Sequence, residues 1–310
     1  MKKILITIFA IIVQSMLVFC QTEQNNFTEL KEPYLGQNPP GIKPELFAPG
    51  VISTEQFEFG GTFSPDGTEF FFTRRSDYDG SDNRIYYTRI VNGSWTKPVL
   101  ATFATDNFEF LPVITPNGDK LFFYSEQPRP DTKGLDGNLW YCLREDQGWS
   151  EAKFFESSIN KKYTMMVTST KDGTLYFSGN YDGKRGGFKS INSDGRYQNL
   201  EYLPQEINTI RPAHPFIAPD ESYLIFDAQL KGMGKPELFM CFRKPDGSWS
   251  QPQNMGPEIN ATQTEFAATV SPDGKYLFFH RRVNKNGEIY WVSSKIIEEL
   301  KPRNLDKLNE

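Results

Sequence analysis

The sequence predicts an all-β chain assembled from repeated four-stranded units, and three observations lead there. Aromatic residues are abundant, with 26 Phe, 14 Tyr and 5 Trp among 310 residues, and they gather in short runs bounded by Gly, Pro, Asn and Asp, the punctuation of strands and turns. A turn of the form Ser-Pro-Asp-Gly recurs at intervals of about fifty residues. Helical periodicity is nearly absent.

The N-terminus comes first. Met1-Lys2-Lys3 precedes the apolar run Ile4 to Val13, a basic head and a hydrophobic stretch too short to span a bilayer comfortably, so residues 1–20 are expected to be a secretory signal peptide. Cleavage after Cys20 leaves Gln21 first. Lipidation of Cys20 is the alternative, and the large Phe19 before it disfavours that reading. Residues 21–43 are assigned to an N-terminal extension, 44–300 to the repeat domain and 301–310 to a C-terminal tail. Loss of Lys2 and Lys3 takes the formal charge from −5 to −7, which argues against nucleic acid as a partner.

The first copy reads Thr62-Phe63-Ser64-Pro65-Asp66-Gly67, then Glu69 to Thr73, Arg84 to Thr88 and Gly93-Ser94-Trp95. The second runs from Ile114-Thr115-Pro116-Asn117-Gly118 to Trp149, and the third, with Lys171 in place of Pro, from Ser169 to Ser190. The fourth runs from Ile217-Ala218-Pro219-Asp220 to Trp249, and the fifth from Val270-Ser271-Pro272-Asp273-Gly274 to Val292. In the full signature turn Pro presets φ, Asp or Asn tolerates the next position and Gly takes the left-handed site. Trp95, Trp149 and Trp249 recur at the outer strand and are expected to pack between units.

Four short strands repeated at this spacing predict one β-propeller with five blades. Six blades would need a further unit before Phe57, where too few residues remain. The fifth copy lacks an outer strand, because Ser294 to Lys301 reads as a helical turn. Glu45-Leu46-Phe47-Ala48-Pro49 supplies the missing one and closes the ring. Cys142 and Cys241 then fall in non-adjacent blades and are expected as free, buried thiols.

These Ser-Pro-Asp-Gly turns followed by aromatic strands resemble the WD40-like propeller repeats of the TolB type, over roughly Glu45 to Leu300. The resemblance implies the fold and leaves function open, because propellers host binding, scaffolding and catalysis alike.

Function is expected on the face opposite the tight turns, where the loops between second and third strands are longer, among them Gly179 to Gly186 and Arg281 to Gly287. Glu58, Glu109 and Glu265 each stand six residues before a turn Ser or Thr and are expected to ring the channel mouth. Arg74, Arg211, His214, Asp227, His280 and Arg282 complete the candidate ligand contacts. Arginines there would grip an anionic ligand by paired hydrogen bonds. The structural alternative is that each Glu pairs with an Arg of the neighbouring blade. No nucleotide loop, nucleophile triad or metal-ligand spacing stands out, so no cofactor and no metal are assigned. The leading reading is an exported binding module, in the periplasm or at the outer membrane, for an envelope protein or an acidic polysaccharide. The other is a carbohydrate-active enzyme, a polysaccharide lyase or glycoside hydrolase.

Overall fold

The computed structural model describes residues 30–302 apart from 77, 131–136, 163, 198, 262 and 284. The expected signal peptide, residues 1–20, lies outside the described residues.

Strands pair within the repeats that the sequence marks. Upstream stands β1 (Glu45–Leu46), and unit one holds β2 (Phe57–Phe63), β3 (Glu69–Arg75), β4 (Arg84–Val91), β5 (Ser94–Trp95) and β6 (Val99–Leu100). Unit two comprises β7 (Glu109–Ile114), β8 (Lys120–Ser125), β9 (Asn138–Glu145), β10 (Gly148–Trp149) and β11 (Lys153–Phe154). Unit three has β12 (Val167–Ser169), β13 (Leu175–Tyr181), β14 (Lys184–Ser190) and β15 (Glu201–Tyr202). Unit four has β16 (Ala213–Ile217), β17 (Tyr223–Ala228), β18 (Glu237–Phe242) and β19 (Gln253–Asn254). Unit five has β20 (Glu265–Val270), β21 (Tyr276–Val283) and β22 (Asn286–Ser293). Its outer strand is β1, antiparallel to β22 with Glu45 opposite Trp291 and Leu46 opposite Tyr290.

The first strands form a closed cycle, β2 against β7, β7 against β12, β12 against β16, β16 against β20 and β20 against β2. Threonine hydroxyls stitch it. Thr168 donates to Pro215 O at 3.0 Å and accepts from Ile217 N at 3.1 Å, and Thr269 donates to Gly61 O at 2.7 Å. Between the units lie the aromatic faces, with Phe47, Phe70, Phe278 and Trp291 all buried around the closing strand.

The signature turn is held by its own side chains. Ser64 Oγ donates to Asp66 Oδ1 at 2.6 Å, Thr68 N donates to the same oxygen at 3.1 Å, and Gly67 N reaches Ser64 O with φ at +71°. A buried amide performs a second repeated task. Asn160 spans Leu139 N and O, Asn208 spans Gly187 N and O, and Asn260 spans Leu238 N and O, each tying a connector to a third strand. Gly187 allows that approach in unit three, since a Cβ there would lie 2.8 Å from Leu203.

Trp95 and Trp249 are buried, and Trp149 is half-buried against Phe71. Cys142 and Cys241 are free and buried, within β9 and β18. Two expected loops are instead hairpins. Asn180 pairs with Arg185 and Tyr181 with Lys184 around Asp182-Gly183, and Arg282 pairs with Gly287 and Val283 with Asn286. An Asp-Gly pair suits a two-residue turn, so the strands continue up to it.

Candidate functional site

A bulge in the first strand decides which side chains face the axis. Pairing shifts between Phe59 and Thr62, Phe110 and Val113, Ala213 and Phe216, and Phe266 and Thr269. Within each bulge one residue takes a left-handed backbone: Gly60, Leu111, His214 and Ala267, with φ from +43° to +64°. Because side chains alternate along a strand, the extra residue changes which of them turn inward.

The predicted ring of acids is corrected by this geometry. Glu58, Glu109 and Glu265 are fully buried and turn back into their own units instead of lining the mouth. Glu58 accepts from Thr54 N at 3.1 Å, Thr54 Oγ1 at 2.5 Å and Arg74 Nε at 2.8 Å, while Arg74 Nη2 reaches the carbonyls of Val51 and Ile52. Glu265 accepts from Ala261 N at 3.2 Å, Arg281 Nε at 3.1 Å and Lys235 Nζ at 3.3 Å. Glu109 uses neutral donors, Thr105, Ser125 and Gln127, at 2.7 to 3.2 Å. Burial pushes all three carboxyl groups above their usual range, against the donors that favour the ionised form. Both arginine partners lie in the same unit as their Glu. Ion pairs cross units between Glu265 and Lys235 of unit four and, after the signature turn, between Glu69 and Arg144 Nη1 of unit two at 2.6 Å. These glutamates are connector clamps, each holding a loop onto its first strand.

Units three and four carry no such clamp. Counting four residues back from the strand pairs of Thr168 with Tyr176 and Phe216 with Ile225 puts Thr164 and Pro212 where the other units have Glu. The next position is Phe59, Phe110 and Phe266 in units one, two and five, with Phe59 6.2 Å from Phe110 and 5.8 Å from Phe266. Its counterparts are Met165 and Ala213. Aromatic rings therefore fill one side of the mouth, and the other side stays open.

Over that open side lies a cleft of about 750 Å³, floored by Met165 and Ala213 and walled by Lys162, Asn180, Arg185 and Arg211. None of these three cations has a side-chain hydrogen bond or ion pair among the described residues; Asp182 is the acid on the rim. Arg211 is held in a left-handed backbone, φ +52°, three residues before His214 at +43°, a conformation costly to non-glycine residues and common where a site imposes it. Ser178 belongs to the same wall. Its counterparts hold the next unit, Thr73 Oγ1 accepting from Leu111 N at 2.9 Å and Asp227 Oδ1 from Ala267 N at 3.3 Å. Ser178 shows no such bond among the described residues, which leaves its hydroxyl to the cleft.

Of the other predicted residues, Arg211 lies in the cleft, Arg74 in a clamp, and His214 pairs with Asp227 at its edge, Nδ1 to Oδ1 2.9 Å. Burial opposes charge on His214, but the Asp227 carboxylate prevails and raises its pKa above the ordinary value. His280 and Arg282 lie across the mouth, where units five and one meet. Sequence reasoning missed Lys162, Ser178 and Arg185; the Asp182-Gly183 turn was the signal that places Arg185 opposite Asn180. Among the described residues no group of three or more His, Cys, Asp or Glu is arranged to hold a metal ion.

No protein-family model and no curated protein matches the sequence. Solved structures do match. The protein assigned as TolB of Agrobacterium tumefaciens superimposes with a TM-score of 0.50 at 14 % identity, over 78 % of this chain and 79 % of that one. TolB of Acinetobacter baumannii gives 0.50 at 12 % identity, over 79 % of this chain and 53 % of its own, so this chain spans about half its length. At such identities the likeness shows the fold, a β-propeller.

Proposed function

We propose that the chain is an exported, five-bladed binding propeller that takes an anionic ligand, an acidic glycan or an acidic stretch of an envelope protein, in the cleft over units three and four. The observation that carries this reading is the convergence of Lys162, Arg185 and Arg211, unpartnered among the described residues, on a cleft of about 750 Å³ in a protein whose formal charge is −5. Guanidinium groups bind carboxylates through charge-assisted hydrogen bonds, and a low-lying cleft strengthens them by excluding water. Export rests on the Lys2-Lys3 head and the apolar run behind it.

Calorimetric titration of residues 21–310 with oligogalacturonate and with a poly-glutamate peptide tests the proposal. Binding of either, weakened by added salt and by Arg185→Ala with Arg211→Ala, supports it; affinity for neither rejects it.

A second reading is favoured by one feature. Asp227 orients His214 through Nδ1, and Nε2 has no partner among the described residues, the arrangement of a general base. Incubation with acidic polysaccharides followed by assay for new reducing ends or unsaturated products, lost in His214→Ala, would establish a carbohydrate-active enzyme instead.

A further inference from the structure

Unit three fastens its connector with different residues from units one, two and five. In those units the acid faces Arg74, Ser125 or Arg281 across the first hairpin, each three residues beyond Phe71, Phe122 or Phe278. The same count from Tyr176, the partner of Thr168, ends at Gly179. Unit three therefore lacks both members of the charged clamp: Thr164 stands for the acid and Gly179 for the arginine.

Tyr181 takes over the arginine's bond. It lies two residues on along the same face of β13, and its ring folds back over Gly179, where a Cβ would fall 2.3 Å from it. Its hydroxyl donates to Ile159 O and accepts from Thr164 Oγ1 at 2.5 Å. Arg74 donates to Ile52 O at 3.0 Å and Arg281 to Ile259 O at 2.8 Å. An isoleucine carbonyl thus catches the second strand in each of these three units, from a cation in units one and five and from a neutral hydroxyl in unit three. Tyr181 and Thr164 are both buried. Burial also raises the Tyr181 phenol above its ordinary value, so it keeps its proton.

The exchange matters because of what stands on either side of it. Lys162 precedes Thr164 by two residues and Met165 follows it; Gly179 and Asn180 lead into Tyr181, and Arg185 pairs with Asn180. These five residues line the cleft. A carboxylate at position 164 would lie beside its cations in a partly buried, weakly screened place and compete with an anionic ligand for them. We propose that the uncharged Tyr181–Thr164 clamp determines the cleft's preference for anions: it holds the connector bearing Lys162 against the hairpin bearing Asn180 and Arg185, and it brings no carboxylate to neutralise them. This role rests on the cleft being an anion site and names the residues that keep it one.

Oligogalacturonate and a poly-glutamate peptide are titrated calorimetrically into residues 21–310 of the wild type, Thr164→Gln, Thr164→Glu and Tyr181→Phe at pH 8, well above the ordinary range of a carboxyl group. Thr164→Glu should bind at least tenfold more weakly than Thr164→Gln, which has the same size and no charge, a split that packing alone would not produce. Tyr181→Phe should weaken binding about tenfold, the size of one hydrogen bond. It leaves Ile159 O 3.0 Å from Thr164 Oγ1, which then donates to it, so urea denaturation should still show a folded protein. Where a longer side chain at 164 prevents folding, Tyr181→Phe decides alone. Equal affinities of Thr164→Glu and Thr164→Gln, or undiminished affinity in Tyr181→Phe, overturn the clamp's role and leave the anion cleft standing; a wild type that binds neither ligand overturns both.

Discussion

Units five, one and two differ from units three and four in what stands at the start of their first strands. In the first group Glu58, Glu109 and Glu265 clamp connectors, and Phe59, Phe110 and Phe266 close the mouth. In the second the same positions hold Thr164, Met165, Pro212 and Ala213, and cations without described partners stand around a cleft. A repeat supplies its own control: a residue that keeps its counterpart's hydrogen bond serves the fold, and one that has lost it is available to a ligand. Ser178 beside Thr73 is the clearest pair.

The strongest way to break the comparison is to treat both sectors alike. Glu58→Ala strands a largely buried Arg74 and should cost about 3–5 kcal/mol, read by urea denaturation; Arg211→Ala should stay within about 0.5 kcal/mol of wild type. Equal losses would end the distinction. Ligand affinity should respond the other way, Arg185→Ala with Arg211→Ala weakening an acidic ligand roughly a hundredfold, about tenfold for each charged hydrogen bond.

The two histidines sharpen the contrast through pH. His280, in the closed sector, sits near 3 against an ordinary 6.5, so between those values the folded protein binds fewer protons than the unfolded chain. Stability is therefore full above pH 6.5 and falls as pH drops, by up to about 1.4 kcal/mol per pH unit. His214, raised by Asp227, has the opposite sign: its contribution is present below 6.5 and lost as pH rises through its folded value. Urea midpoints from pH 4 to 8 should show the acid-side loss diminish in His280→Phe and the alkaline-side loss vanish in His214→Phe. The smallest effect is at the paired hydroxyls. Thr73→Val orphans Leu111 N and should cost about 1–2 kcal/mol, whereas Ser178→Ala should leave thermal stability unaltered.

Much of the fold was legible because its causes are local. The turn at Ser64 to Gly67 depends on residues within it, and the closing strand Glu45–Leu46 follows from a missing outer strand. The candidate site was legible only at Arg211 and His214. Lys162 and Arg185 are forty-nine to twenty-six positions ahead of Arg211 and meet it only when unit three packs on unit four.

The sequence by itself determined the repeat, its turns and its N-terminal closure, since Pro, Asp and Gly set backbone angles wherever they stand. Tertiary structure alone decided the direction of the glutamates and the position of the opening. The glutamates take their direction beside a bulge whose left-handed residue is Gly60, Leu111 or Ala267, three residues with no common signature, and the opening lies where Met165 and Ala213 replace the rings of Phe59, Phe110 and Phe266. A bulge of one residue reverses which side chains of a strand face inward, and only pairing with the second strand fixes where it falls.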